Sequence, residues 1–281
     1  MDKDKLDKVW LPHTCSTIQE YLQRAYGRLD QGEGSYAFRG VASRFPQIWA
    51  SIDRREIAPQ DPVKIETRLL EEFLLRASHY LTSQERKRYL VAKARWRDTR
   101  NTGTMVVARH RMVPTRCIDW TYDPLCSLLF ACEDDSEHDG EVWWFNRTEF
   151  DYCVGAQWPA LFGKRAHVED DIEKDFIEGH DGQWFTALNY MLLADDRLDL
   201  QRAWITVAGH LGACHAEEIH RLGVRGKGRL VIPAQLKAEA MDLLGQMGIT
   251  RRSPGFARNE PADLIGAQIE KEFERDFPSK S

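Results

Sequence analysis

Thirteen consecutive residues, Arg109-His110-Arg111-Met112-Val113-Pro114-Thr115-Arg116-Cys117-Ile118-Asp119-Trp120-Thr121, place several chemically versatile side chains directly before an apolar run. Three guanidinium groups, an imidazole, a carboxylate and an indole surround a proline-fixed bend. Asp123-Pro124 and the apolar run Leu125 to Cys132 follow at once. A polar segment held between apolar elements is where binding and catalytic groups are commonly placed. Arg116 supplies a planar fork suited to phosphate or carboxylate. Asp119, three residues on, is positioned to orient Arg116 or an incoming group such as a ribose hydroxyl. Trp120 offers a ring on which a nicotinamide, adenine or nucleobase stacks. His110 titrates near neutral pH and is the candidate acid or base. Thr115 adds a hydroxyl at the bend. The plainer alternative is an Arg116–Asp119 local ion pair, with Trp120 in the core and Thr115 and Thr121 capping turns.

A second candidate group stands far upstream. Ser35-Tyr36-Ala37-Phe38-Arg39-Gly40 reads as a strand ending at a glycine. Arg39 is a phosphate or carboxylate ligand by type, and Gly40 allows a ligand or another backbone to come close. Tyr36 is a second stacking candidate. The alternative for Arg39 is a buried ion pair with Asp119 or Glu66. Arg39 and Arg116 on the walls of one cleft would make an anion pocket.

The elements that must position these groups follow from periodicity and capping. Ser16 or Thr17 caps a helix to about residue 29, and 64–80 is amphipathic with Ile65, Leu69, Leu70, Phe73, Leu74 and Ala77 on one face. A polar helix is expected over about 83–98, and 106–112 is helix or strand. Asp123 caps a helix from Pro124 to Cys132, with proline at the first helical position. The acidic tract 133–140 is a surface loop without the ligand spacing of a calcium site. Residues 141–145, 204–208 and 228–233 are strands. Residues 168–178, 184–194, 235–245 and 261–273 are read as helices.

The composition, 42% hydrophobic and 30% charged over 281 residues, is that of a folded globular chain. A net charge of −5 gives no overall attraction to nucleic acid or anionic membrane. No apolar run approaches the ~20 residues of a membrane-spanning helix. The charged start, Met1-Asp2-Lys3-Asp4-Lys5, lacks a signal-peptide core, so a cytoplasmic location is the expectation. Six cysteines at 15, 117, 126, 132, 153 and 214 form no Cys-x-x-Cys pair; they read as reduced thiols, and no metal site is expected.

Taken together, Phe38-Arg39-Gly40, His110, Pro114-Thr115-Arg116, Ile118-Asp119-Trp120-Thr121, Pro124-Leu125 with Leu129-Phe130-Ala131, and Asp139-Gly140-Glu141-Val142-Trp143 resemble the FRG domain family, named for its Phe-Arg-Gly motif. The resemblance runs over about 35–250, including Leu230-Val231-Ile232-Pro233. The Phe38-Arg39-Gly40 strand end is also similar, at motif level, to the first-strand arginine of ADP-ribosyltransferases, which contacts a dinucleotide cofactor. A Gln-x-Gly-x-Phe element is common in the FRG family after the strand at 204–208. Here His210, Gly212 and Cys214 take those places, and the transferase glutamate has no counterpart nearer than Glu217 and Glu218.

The expectation is an α+β fold, a small mixed sheet with flanking helices, ADP-ribosyltransferase-like by resemblance. It would have a helical N-terminal extension (1–34), an FRG domain (35–250) and a C-terminal helical segment (251–281). The resemblance implies NAD or a similar dinucleotide held by Arg39, Gly40, Thr115, Arg116 and Trp120, with His110 and Asp119 as catalytic groups. ADP-ribosyl transfer to a protein or nucleic acid, or NAD hydrolysis, would follow in a toxin or defence setting. The alternative is a non-catalytic module that recognises a nucleotide or nucleic acid.

Overall fold

A computed structural model describes residues 3–29, 35–43, 47–57, 62–83, 102–158, 185–188, 202–250 and 260–279. The helices expected over 83–98 and 168–178 lie outside the described residues. The elements in chain order are α1 (Lys3–Val9), β1 (Pro12–Thr14), α2 (Ile18–Leu29), β2 (Tyr36–Val41), α3 (Pro62–Ala77), α4 (Thr102–His110), β3 (Cys117–Thr121) and α5 (Pro124–Cys132). They continue as β4 (Gly140–Asn146), α6 (Arg147–Gln157), β5 (Phe185–Leu188), β6 (Ala203–Ala208), α7 (His215–Arg221), β7 (Lys227–Ile232), α8 (Lys237–Gln246) and α9 (Pro261–Asp276).

The strands form one seven-stranded sheet in the order β1-β7-β4-β2-β3-β6-β5. Among the described residues only the β1–β7 pair is parallel, so the sheet is mixed and the fold α+β, with helices on its faces. The N-terminal segment contributes a strand as well as helices, because Pro12–Thr14 pairs with Arg229–Val231. Residues 185–188 are a strand on β6 rather than part of a helix. Phe185 packs in an aromatic cluster with Phe150, and a four-residue apolar run cannot show its period to a sequence reading. The polar loop expected after Pro114 is loop only as far as Arg116; Cys117–Thr121 is an inner strand paired along its length with β6.

Two glycines set how closely α5 lies on the sheet. A Cβ at Gly40 would sit 1.9 Å from the Ser127 carbonyl oxygen, and one at Gly140 would sit 2.1 Å from the Ala131 carbonyl oxygen. Gly40 therefore admits a helix backbone, not a ligand. Helix α5 begins as its residue types demand: the Asp123 carboxylate accepts from Leu125 N at 2.8 Å, and Pro124 opens the first turn.

The sheet's two faces carry separate apolar layers. Tyr36 and Phe38 face α2, α5 and α8 together with Leu129, Val142 and Leu230. Ala37 and Val41 face the aromatic layer of Trp120, Trp143, Phe145 and Trp204. A third cluster joins β3 and β6 to α3, α4 and α9 through Cys117, Ile205, Leu70, Val106 and Ile269.

Candidate functional site

Strands β2 and β3 are neighbours but share only the Phe38–Thr121 pair, whereas β2 and β4 stay in register from Tyr36–Asn146 to Val41–Glu141. Beyond Phe38 the two strands diverge. Arg39 reaches across this gap, and its Nη1 donates to the Asp119 main-chain oxygen at 2.6 Å. A carbonyl left without a ladder partner is thereby satisfied.

Two further arginines act on this region. Arg109, at the end of α4, donates from Nε to Asp119 Oδ2 at 2.7 Å and from Nη1 to Ser51 Oγ at 3.2 Å. Arg54 lies on the segment that covers the gap, and its Nε donates to the Trp49 carbonyl at 3.3 Å. Ser51 also accepts from Thr115 N at 3.2 Å, so one hydroxyl links the covering segment, Arg109 and the bend before β3.

The electrostatics of the three guanidiniums differ. Burial, then the charges of Arg54 and Arg109, push Arg39 down to about 9; Asp119 only partly offsets this. Desolvation and Arg109 push Arg54 down to about 10, although part of Arg54 remains exposed. Burial also opposes the charge of Arg109, but Asp119 more than compensates, and Arg109 ends above its ordinary value. For Asp119, burial disfavours ionisation, and Arg109, His110 and Arg39 outweigh it, so the carboxyl is held below its usual range. An arginine stays protonated in a protein. The depressed values of Arg39 and Arg54 reflect burial first and the neighbouring guanidiniums second. Among the described residues, Asp119 pairs with Arg109, and the charge of Glu270 also favours Arg54 and Arg109.

The cleft foreseen between Arg39 and Arg116 is not what forms. Arg116 is buried, and its Nε and Nη2 donate to Glu66 Oε2 at 2.8 and 2.5 Å, with Nη1 on the Gly209 carbonyl at 3.0 Å. Its own backbone N–H donates to Glu66 Oε1 at 3.0 Å. Arg116 thus braces α3 against β3 and the loop after β6, and Asp119 orients Arg109 instead of Arg116. Arg111, the third cation of the motif, is also buried and pairs with Asp263 at 3.1 Å and Glu260 at 2.6 Å on the start of α9.

Trp120 is 2% exposed, stands edge-on to Phe145 at 4.7 Å and donates from Nε1 to Thr206 Oγ1 at 2.9 Å, so it presents no open face to a ring. Alternation explains this: Asp119 and Trp120 are successive strand residues and point to opposite sheet faces. Tyr36 is likewise buried, against Trp144. Thr115 is fully buried, with Oγ1 on Cys117 N at 3.4 Å. His110 ends α4, and its charge acts on Asp119.

Behind the arginines lies a buried relay. The Trp120 indole donates to Thr206 Oγ1, whose hydroxyl is 2.8 Å from His215 Nδ1. The Thr206 hydroxyl thus links the indole to the imidazole. Burial, then the Arg39 charge, push His215 down to about 3.

From sequence, Arg54-Arg55 is a basic pair that could touch phosphate but reads more plainly as a solvated face, Arg109 is one cation of the motif without an assigned role, and Ser51 carries no signal. Arg109 stands within the thirteen-residue motif beside His110, and that adjacency was the available signal. Nothing in the spacing shows that Ser51 and Arg54 fold over the β2–β3 gap. Among the described residues no group of three or more His, Cys, Asp or Glu side chains is arranged to hold a metal. No helix among them is long and apolar enough to cross a membrane.

No significant match was found among curated proteins or among solved structures. The family model of the FRG domain matches residues 34–140, a span that contains Arg39, Ser51, Arg54, Arg109, His110, Arg116 and Asp119. The gap between β2 and β3, Arg39, Arg54 and Arg109, and the helix seated on Gly40 all lie within this span: residues 34–140 carry an FRG domain.

Proposed function

We propose that the protein binds a phosphate-bearing nucleotide, with NAD as the compound of choice, at the β2–β3 gap, and that Arg39, Arg54 and Arg109 hold its phosphates. The observation that carries this reading is the grouping of three guanidiniums about Asp119: Arg109 pairs with its carboxylate, Arg39 holds its main-chain oxygen, and the charge of Arg54 acts on Arg39. Bringing like charges together in a partly buried place is unfavourable unless an anion completes the set. Among the described residues, the hydrogen bonds of Arg39, Arg54 and Arg109 use only a few of their N–H groups, so donors remain for phosphate oxygens. NAD comes from the motif resemblance. ADP-ribosyl transfer or NAD hydrolysis would need a carboxylate near the ribose, and Asp119 is the one bonded into the cluster.

Recognition without turnover is the second reading. In its favour, Asp119 is already neutralised by Arg109, and Glu218, on α7 after β6, is held by Arg221 at 2.5 Å. Calorimetric titration with NAD and ADP-ribose, beside incubation with labelled NAD, separates the two. Arg39→Ala or Arg54→Ala is expected to weaken NAD binding by about 10- to 100-fold, the equivalent of a lost charge-assisted hydrogen bond. Binding should weaken steeply with added salt. Tight binding with no nicotinamide release and no labelled product selects recognition. Unchanged affinity in both variants refutes the site.

A further inference from the structure

The second oxygen of the Asp119 carboxylate restricts what this cluster can accept. Oδ2 is committed to Arg109, whose Nη1 is in turn tied to Ser51, so the carboxylate is held in one orientation. Oδ1 is buried and receives no hydrogen bond. A buried carboxylate oxygen without a donor is costly, and three cations alone do not remove that cost, since each is aimed elsewhere. An anion held by Arg39 and Arg54, both of whose charges interact with Asp119, would come beside this carboxylate. If its nearest atom is also a bare acceptor, two negative oxygens face each other. If it carries O–H, the same atom pair forms a charge-assisted hydrogen bond.

We propose that Asp119 Oδ1 is a specificity-determining acceptor, so that the site takes anions bearing a hydroxyl donor (a protonated phosphate, or a phosphate ester with a hydroxyl beside it) and rejects anions without one. This deepens and rests on the reading of the arginine cluster as a phosphate site. It differs from that reading in what it forbids: guanidiniums alone attract sulfate and phosphate alike, and only a fixed acceptor separates them. The direction of the Asp119 shift agrees, because the group is held ionised and therefore acts as an acceptor only.

The full-length protein is titrated with inorganic phosphate, sulfate and ribose 5-phosphate at constant ionic strength, and binding is followed by displacement of NAD and by thermal shift. Phosphate and ribose 5-phosphate are expected to bind at least about 10-fold more tightly than sulfate, up to about 100-fold, the range for a hydrogen bond to a charged group. Asp119→Asn, which places an amide donor at the same position, is expected to collapse that ratio and to raise sulfate affinity. The wild-type ratio is itself a test, should the variant fold poorly. Sulfate binding as tightly as phosphate overturns the selection while leaving the phosphate site standing, because an anion is still bound. Failure of both ions to displace bound NAD overturns the selection too. Failure of NAD to bind at all removes the underlying site along with it.

Discussion

Arg116 is the residue on which two accounts of this molecule divide most sharply, and Glu66 provides the perturbation. Glu66 is fully buried and accepts from Arg116 N, Nε and Nη2 at 3.0, 2.8 and 2.5 Å. Replacing Glu66 by Gln keeps the volume but leaves a buried guanidinium without its counter-charge. Breaking one side of such a pair costs about 3–5 kcal/mol. Arg116→Met strands the carboxylate in the same way and should cost a similar amount. The double variant Glu66→Gln, Arg116→Met removes both charges, so its cost should be well below the sum of the singles, with a coupling of at least about 2 kcal/mol. In urea denaturation at 25 °C, with a slope of about 3 kcal/mol/M, each single variant shifts the midpoint down by at least about 1 M. Where still folded, Arg116→Met should bind NAD as the wild type does. A midpoint within about 0.2 M of wild type, together with lost NAD binding, would refute the reasoning and return Arg116 to the ligand.

Gly40→Ala should be destabilising, by about 2–3 kcal/mol or more, because its Cβ would meet the α5 backbone at 1.9 and 2.8 Å and neither contact is a flexible side-chain end; a urea midpoint unchanged from wild type would contradict the packing role. His215 has its folded pKa lowered to about 3, so below about pH 6.5 the unfolded chain takes up a proton that the folded chain refuses. Its contribution is present above pH 6.5 and is lost as pH falls, at about 1.4 kcal/mol per pH unit, and His215→Asn should be correspondingly less sensitive between pH 6.5 and 4.5 in paired urea titrations. Trp120→Phe removes the Thr206 hydrogen bond and leaves NAD affinity unchanged; a drop in affinity without a drop in thermal midpoint would restore the stacking role. Arg109→Ala should lower both stability and NAD affinity, since it releases Asp119 and Ser51 together; loss of only one of the two, read by calorimetry and melting, would separate the roles assigned to it.

Local chemistry settles local structure, and much of this chain was legible on that basis. Asp123-Pro124 announces α5 to the residue, because a side-chain acceptor followed by a pre-set φ can only begin a helix economically. The periodicity of Ile65 to Ala77 gives α3, and the apolar runs at 141–145, 204–208 and 228–233 give three strands of the sheet. The Phe-Arg-Gly strand and the thirteen-residue motif were enough to point to the family. What spacing could not give is the choice of partner for each charge. Arg109, Arg111 and Arg116 lie within eight positions of one another, yet they pair with Asp119, with Asp263 and Glu260, and with Glu66. Each guanidinium takes the carboxylate that the fold buries beside it, and those carboxylates come from β3, α9 and α3. Gly40 shows the same limit, since only the docking of α5 decides whether its missing side chain makes room for a ligand or for a helix. Which arginine pairs with which carboxylate is therefore a property of the tertiary structure, in which β2 and β3 part after Phe38 and Arg39 turns to the Asp119 main chain.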